Sequence, residues 1–242
     1  MKYLSVLLSS LILAACGGGG GGGAPAPATP VASTSTFQLK QAYTNDFNDT
    51  RTYSFTLSGT VTSGANTGTV TGNGSIARGA PTNVTFEGAT ALSKTITTTG
   101  TITVTVGASS ASQALPPTIS STYVSPTFDL VGFTSAGAYS VPSGAVNFPT
   151  TARVGDSGTV GTFNTYASAA RGPIQGTNVL SWSLGADTAS TAILTLTQTI
   201  RNAGGIVTTM QVENYRLTPA GAVTPINAVA TVTGVGTLTY TF

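Results

Sequence analysis

Thr95-Ile96-Thr97-Thr98-Thr99-Gly100-Thr101-Ile102-Thr103-Val104-Thr105-Val106 has a period of two, and no other feature of the chain restricts its fold as strongly. Successive side chains of an extended strand point to opposite faces. Ile96, Ile102, Val104 and Val106 therefore share one face, and Thr95, Thr97, Thr99, Thr101, Thr103 and Thr105 share the other. Ala192 to Ile200, Val207 to Leu217 and Leu238 to Phe242 alternate in the same way. Threonine, valine and isoleucine favour pleated backbone, and clusters of Gly, Asn, Asp and Pro separate the runs. No sustained helical period follows Ser35. The expected fold is all-β: an antiparallel sheet protein, either a β-sandwich or an open or closed barrel-like meander. Its connections are largely hairpins such as Asn202-Ala203-Gly204-Gly205.

The alternating runs also resemble one another across the chain. Thr99 to Val106 matches Val235 to Phe242 in its glycine, threonine and apolar positions, and Tyr53 to Ser58 parallels Leu180 to Gly185. Arg78 and Arg201 stand at comparable hairpin ends. An all-β domain over 37–242 is therefore expected, with two similar halves, 37–115 and 153–242, as one reading of it. The joining segment 116–152 is richer in proline and aromatic residues. It reads as short strands crossing between layers, or as a loose connector.

Ahead of the β chain, Met1-Lys2 supplies a positive start and Leu4 to Leu13 an apolar run, too short for a helix that crosses a membrane. The run closes on Leu13-Ala14-Ala15-Cys16, which holds the only cysteine of the 242 residues. These four residues resemble the lipobox of bacterial lipoprotein precursors. The resemblance implies a signal peptide over 1–15, a diacylglyceryl group on the sulfur of Cys16, cleavage before Cys16 and acylation of the new amino terminus. Two or three acyl chains anchor stably where one does not. Gly17 in place of an aspartate after the cysteine resembles lipoproteins sorted to the outer membrane. Residues 16–36, in which Cys16 is followed by seven glycines, Ala-Pro repeats and a Ser/Thr tail, read as the lipidated cysteine and a disordered tether with a reach on the order of 25 Å.

Charge excludes several classes of function. Only 7% of residues are Asp, Glu, Lys or Arg, against about 25% in an average soluble domain. Once Lys2 leaves with the leader, the few basic and acidic side chains nearly cancel and form no runs. Nucleic acid therefore has no electrostatic footprint to bind. The expected partners are the membrane, through the N-terminal lipid, and a protein or an apolar small molecule.

Five stretches invite a chemical reading. Gly155-Asp156-Ser157-Gly158 surrounds a serine as in chymotrypsin-like proteases, but a serine nucleophile there needs a histidine base, and the chain has no histidine. It reads as a turn ahead of a strand over Thr159 to Ser168. No histidine and no second cysteine also leave no usual zinc site. Asn45-Asp46-Phe47-Asn48-Asp49-Thr50 gathers side-chain oxygens of the kind calcium takes, yet lacks the EF-hand spacing. Asx-turn chemistry before a strand over Arg51 to Ser63 is the reading taken. Glu87 and Glu213, the pair a glycosidase would bring to one cleft, read as solvated strand residues. Gly68 to Ser75 lacks the lysine and helix of a phosphate loop, so its glycines mark a bulge or a close strand approach. Trp182 reads as a core aromatic.

No enzyme activity, cofactor or metal is expected. The chain reads as a lipid-anchored β protein of the cell envelope, at the outer membrane, acting by interaction or as a structural surface component. One alternative is a carrier that shelters an apolar ligand between curved sheets. Another is a small outer-membrane barrel, suggested by Leu238, Tyr240 and Phe242 alternating up to the C-terminal phenylalanine.

Overall fold

The computed structural model of the protein describes residues 30–64 and 66–242. The signal peptide over 1–15, the lipobox Leu13-Ala14-Ala15-Cys16 and the glycine tract Gly17 to Gly23 lie outside the described residues.

Among the described residues, one helix and thirteen strands follow Phe37. They are α1 (Leu39–Asn48), β1 (Thr52–Ser63), β2 (Asn66–Arg78), β3 (Thr82–Phe86), β4 (Ala89–Val106), β5 (Ser109–Val124), β6 (Leu130–Ser135), β7 (Ala138–Pro142), β8 (Ser157–Tyr166), β9 (Gly176–Thr188), β10 (Thr191–Asn202), β11 (Val207–Leu217), β12 (Val223–Val232) and β13 (Gly236–Thr241). Neighbours pair antiparallel from β4 through to β13, β13 pairs with β1, β1 with β2, and β2 with β4. The sheet therefore closes into a twelve-stranded barrel, with β3 as one extra strand. β3 follows β2 along the same edge of β4: β2 takes Ile96 to Thr105, and β3 takes Ala89 to Ser93.

The expected two-residue period holds around the wall. Tyr53, Phe55 and Leu57 are buried while Ser54, Thr56 and Ser58 are exposed; on β4, Ile96 and Ile102 point inward with Thr98, while Thr95 and Thr101 point out. The turn at Asn202 to Gly205 joins β10 to β11, with Gly205 at φ +79°. The segment 116–152 supplies wall as well as connection, since it carries the second half of β5 and all of β6 and β7. The compared segments sit at different places in the ring: β4 is the second strand after β1, whereas β13 is the fourth after β9.

The helix departs from the sequence expectation. Eight strands make a barrel that wall side chains alone can fill, and twelve leave a wider lumen. α1 seats in one mouth and fills it. Leu39, Ala42, Tyr43, Asp46 and Phe47 are buried, and Gln41, Asn45 and Asn48 face solvent. Leu39 and Ala42 pack with Trp182, Leu184, Leu194 and Leu217 from β9, β10 and β11. Tyr43 and Phe47 pack with Val124, Leu130, Phe133 and Phe163 from β5, β6 and β8. Gly221, in the β11–β12 turn, lies so close that a Cβ there would stand 3.0 Å from the Ala42 nitrogen. The expected free tether also ends docked on the barrel, with Val31 bridging to Asp187, Ser33 buried, and Phe37 bridging to Ala152.

Past the helix the walls meet directly. Phe55, Leu57, Val70, Ile76, Ile96, Ile102, Leu115, Leu238 and Tyr240 form a second core. Phe55 lies edge-on to Tyr240 with ring centroids 5.2 Å apart. Glycine permits this approach, as expected for Gly68 to Ser75. A Cβ on Gly74 would fall 2.5 Å from the tip of the Phe55 ring and 2.9 Å from the Gly100 Cα. Gly74→Ala should therefore destabilise the fold by about 1–3 kcal/mol through overpacking, read as a lower denaturant midpoint. An unchanged midpoint would show that the wall can yield there.

Candidate functional site

The densest chemistry lies inside the barrel, at the C-terminal end of α1. Helix ends leave carbonyl groups without intrahelical partners, and they favour a cation nearby. Lys94, on β4 and 2% exposed, supplies it: Nζ donates to the carbonyl oxygens of Asp46 at 2.8 Å and Asp49 at 2.5 Å. Arg78, at the end of β2, pairs through Nη2 with Asp46 Oδ2 at 2.6 Å and through Nη1 with Asp49 Oδ2 at 3.1 Å. Arg51 Nε donates to Asp49 Oδ1 at 2.8 Å, and the Tyr53 hydroxyl donates to Asp49 Oδ2.

Three of these charges are tuned by the neighbourhood. Burial alone would raise the Asp49 carboxyl, but the hydrogen bonds from Arg51 and Tyr53 and the charge of Arg78 hold it well below the usual carboxylate range. Burial would also weaken the Arg78 charge, and Asp46 more than offsets this, so the guanidinium stays ionised. Lys94 is pushed down to about 8, first by burial and then by the nearby Arg78 charge.

Across the lumen, β11 presents Gln211, Glu213 and Tyr215 inward. Glu213 is 5% exposed and accepts hydrogen bonds from Gln211 Nε2 at 2.6 Å and the Tyr215 hydroxyl at 2.8 Å. Burial pushes its carboxyl up to about 8, against the lowering effect of those two bonds. Glu213 is thus a buried luminal acid, not the solvated strand residue expected. Glu87 lies far from it, on the β3–β4 turn at φ +53°, where it accepts from Tyr139 and pairs with Arg171 on the barrel exterior.

The other singled-out stretches fall as follows. Asn45 to Asn48 is the last turn of α1, and the Asx turn expected before the strand forms at Asp49, whose Oδ1 accepts from the Arg51 amide at 3.1 Å; the carboxylates of Asp46 and Asp49 are also engaged by Arg78 and Arg51. Among the described residues, no three Asp, Glu, His or Cys side chains gather as a metal set. Gly155-Asp156-Ser157-Gly158 forms a turn into β8: Gly155 has φ +99°, and Asp156 Oδ2 accepts from the Arg153 amide at 2.7 Å. Trp182 is buried against α1 in the core, as expected.

Sequence reasoning missed the inward roles of Asp46, Arg78, Lys94 and Gln211. A signal was present, because Arg78 keeps the parity of buried Ile76, Lys94 that of Ile96, and Gln211 and Glu213 that of Leu217. Little space remains around these groups. One cavity of about 30 Å³ lies beneath the helix among Tyr43, Thr122, Gln198, Gln211, Glu213 and apolar neighbours. A second, of about 20 Å³, lies beside Asp46 and Tyr215. Set against known proteins, the chain matches no family, no curated protein and no solved structure.

Proposed function

We propose that this is a lipid-anchored component of the cell envelope, held at the outer membrane through Cys16, whose barrel works by interaction or as a structural surface element. The filled lumen supports this reading most directly. Pockets that take small molecules run to about 300–1,000 Å³; the cavity beneath α1 offers about 30 Å³, and a space of about 570 Å³ bordered by Phe55, Gly74, Gly100 and Phe242 is open rather than enclosed. A carrier that sheltered its ligand beneath α1 would require the helix to leave its seat.

The outer wall supports the same reading. Across β13, β1, β2, β4 and β5, the register lines up Thr237, Thr60, Thr69, Thr105 and Ser110 in one row and Thr239, Ser58, Thr71, Thr103 and Ser112 in the next. Such a surface binds water and neighbouring polar groups without charge. A barrel that spans a membrane turns an apolar band about 25 Å tall toward lipid. The closed, even-numbered antiparallel ring keeps the spanning barrel as a second reading.

Cys16→Ala separates the two. With the anchored barrel, the variant loses fatty-acid labelling and moves from the membrane fraction to the soluble fraction. If it instead stays in the pellet after an alkaline wash, the barrel itself holds the membrane and the anchor reading fails.

A further inference from the structure

We infer that the cavity beneath α1 is a built-in hydration site, in which one or two ordered water molecules tie the helix to both walls through Tyr43, Thr122 on β5 and Gln211 on β11. Three observations meet there. The Tyr43 hydroxyl, Thr122 Oγ1 and Gln211 Oε1 are each cut off from solvent and have no hydrogen-bond partner among the described residues. All three residues line one cavity, with the Gln198 and Glu213 side chains beside them. Its size, about 30 Å³, exceeds the roughly 10–15 Å³ that one water needs and admits nothing much larger.

Buried polar groups in folded proteins are almost always satisfied, and an internal water characteristically makes two to four bonds. Three free oxygens from three different elements match that valence. Tyr43 comes from the helix, Thr122 from one wall and Gln211 from the opposite one. The water therefore completes the seat of α1 at its middle, where no direct polar contact to the wall exists through these atoms.

Charge decides between water and a small cation. The cations Arg78 and Lys94 stand against the anions Asp46 and Asp49, so the luminal charges already cancel. Glu213 beside the cavity is held toward its neutral form by burial. A cation would enter an environment with no charge to balance it. The inference holds whether or not the barrel is anchored, because it rests on the lumen alone.

Oxygen-17 water relaxation dispersion on the full chain counts long-lived internal waters. Tyr43→Phe combined with Thr122→Val keeps the shape of the cavity and removes two of its three free oxygens. The expected result is at least one fewer long-lived water than in the unmodified protein, with unchanged circular dichroism. An equal count in a folded double variant would overturn the inference. Crystals of the unmodified protein supply a test that needs no variant. Soaked in rubidium salt or pressurised with xenon, they should show neither atom in the cavity and water density at Tyr43. Xenon there would mean a dry cavity, and rubidium a cation site; either sinks the proposal.

Discussion

Arg78→Met is expected to lower the free energy of unfolding by about 3–5 kcal/mol, the usual cost of removing one partner from a buried ion pair. The guanidinium is almost fully buried and bonds both Asp46 and Asp49. Without it, Asp49 still has Arg51 and Tyr53, but the Asp46 carboxylate stays buried without its ion-pair partner, and its Oδ1 already has no hydrogen bond. Urea denaturation at pH 7 reads the change. Arg216→Met provides the contrast, since the Arg216–Asp187 pair, 2.7 Å long, leaves the arginine half exposed. Pairs of that kind contribute about 0–1 kcal/mol. Equal losses in the two variants would show that burial does not set the cost here. Adding Asp46→Asn to Arg78→Met should recover part of the loss, because the second change removes the stranded charge.

The second large effect is a stability minimum near pH 8. Glu213 keeps its proton in the folded protein up to about 8, whereas the unfolded chain releases it in the ordinary carboxyl range. Between those values the folded state binds more protons, so stability falls as pH rises and the fall stops above about 8. Lys94 works the other way. Its folded ammonium releases a proton near 8 and its unfolded one near 10.4, so stability rises with pH across that interval. The chain has no histidine to add its own slope between pH 5 and 8. Glu213→Gln should therefore flatten the acid limb, with a gain at pH 8 on the order of 4 kcal/mol at most. A variant that keeps the full slope between pH 5 and 8 would assign that slope to another group.

The wall of this barrel was legible in the sequence and its contents were not. The alternation around Ile96 and Ile102 is a local consequence of pleated backbone, and it places the buried face correctly along β4. Closure has no local signature: the pairing of β13 with β1 joins Thr241 to Thr56 across most of the chain. The helix did leave a trace. Leu39, Ala42, Tyr43, Asp46 and Phe47 repeat at the three- and four-residue spacing of one helical face. An aspartate in that face, asparagines at positions 45 and 48 and a length of only ten residues make the same stretch look like turn chemistry. Glu213 was misplaced and Lys94 overlooked for a related reason. Charged side chains are almost never buried without partners. Those of Lys94 lie at the end of α1, far back in the chain. Those of Glu213, Gln211 and Tyr215 on its own strand, look like ordinary polar strand residues until closure turns them into the lumen.

The docking of residues 30–37 decides how the barrel would carry a load applied at its N-terminal end. Tension on that segment meets first the lone bridge from Val31 to Asp187, then the one from Phe37 to Ala152. Both are isolated contacts that open one at a time. The next resistance is α1 in its seat, held near its start by the ion pair of Lys40 with Asp129 and near its end by Lys94 and Arg78. Only after the helix has been drawn out of the mouth would the pull reach β1, whose long pairing with β2 shares the strain over many bonds at once. The helix thus stands in series between residues 30–37 and the wall, as a fuse that yields before the ring does.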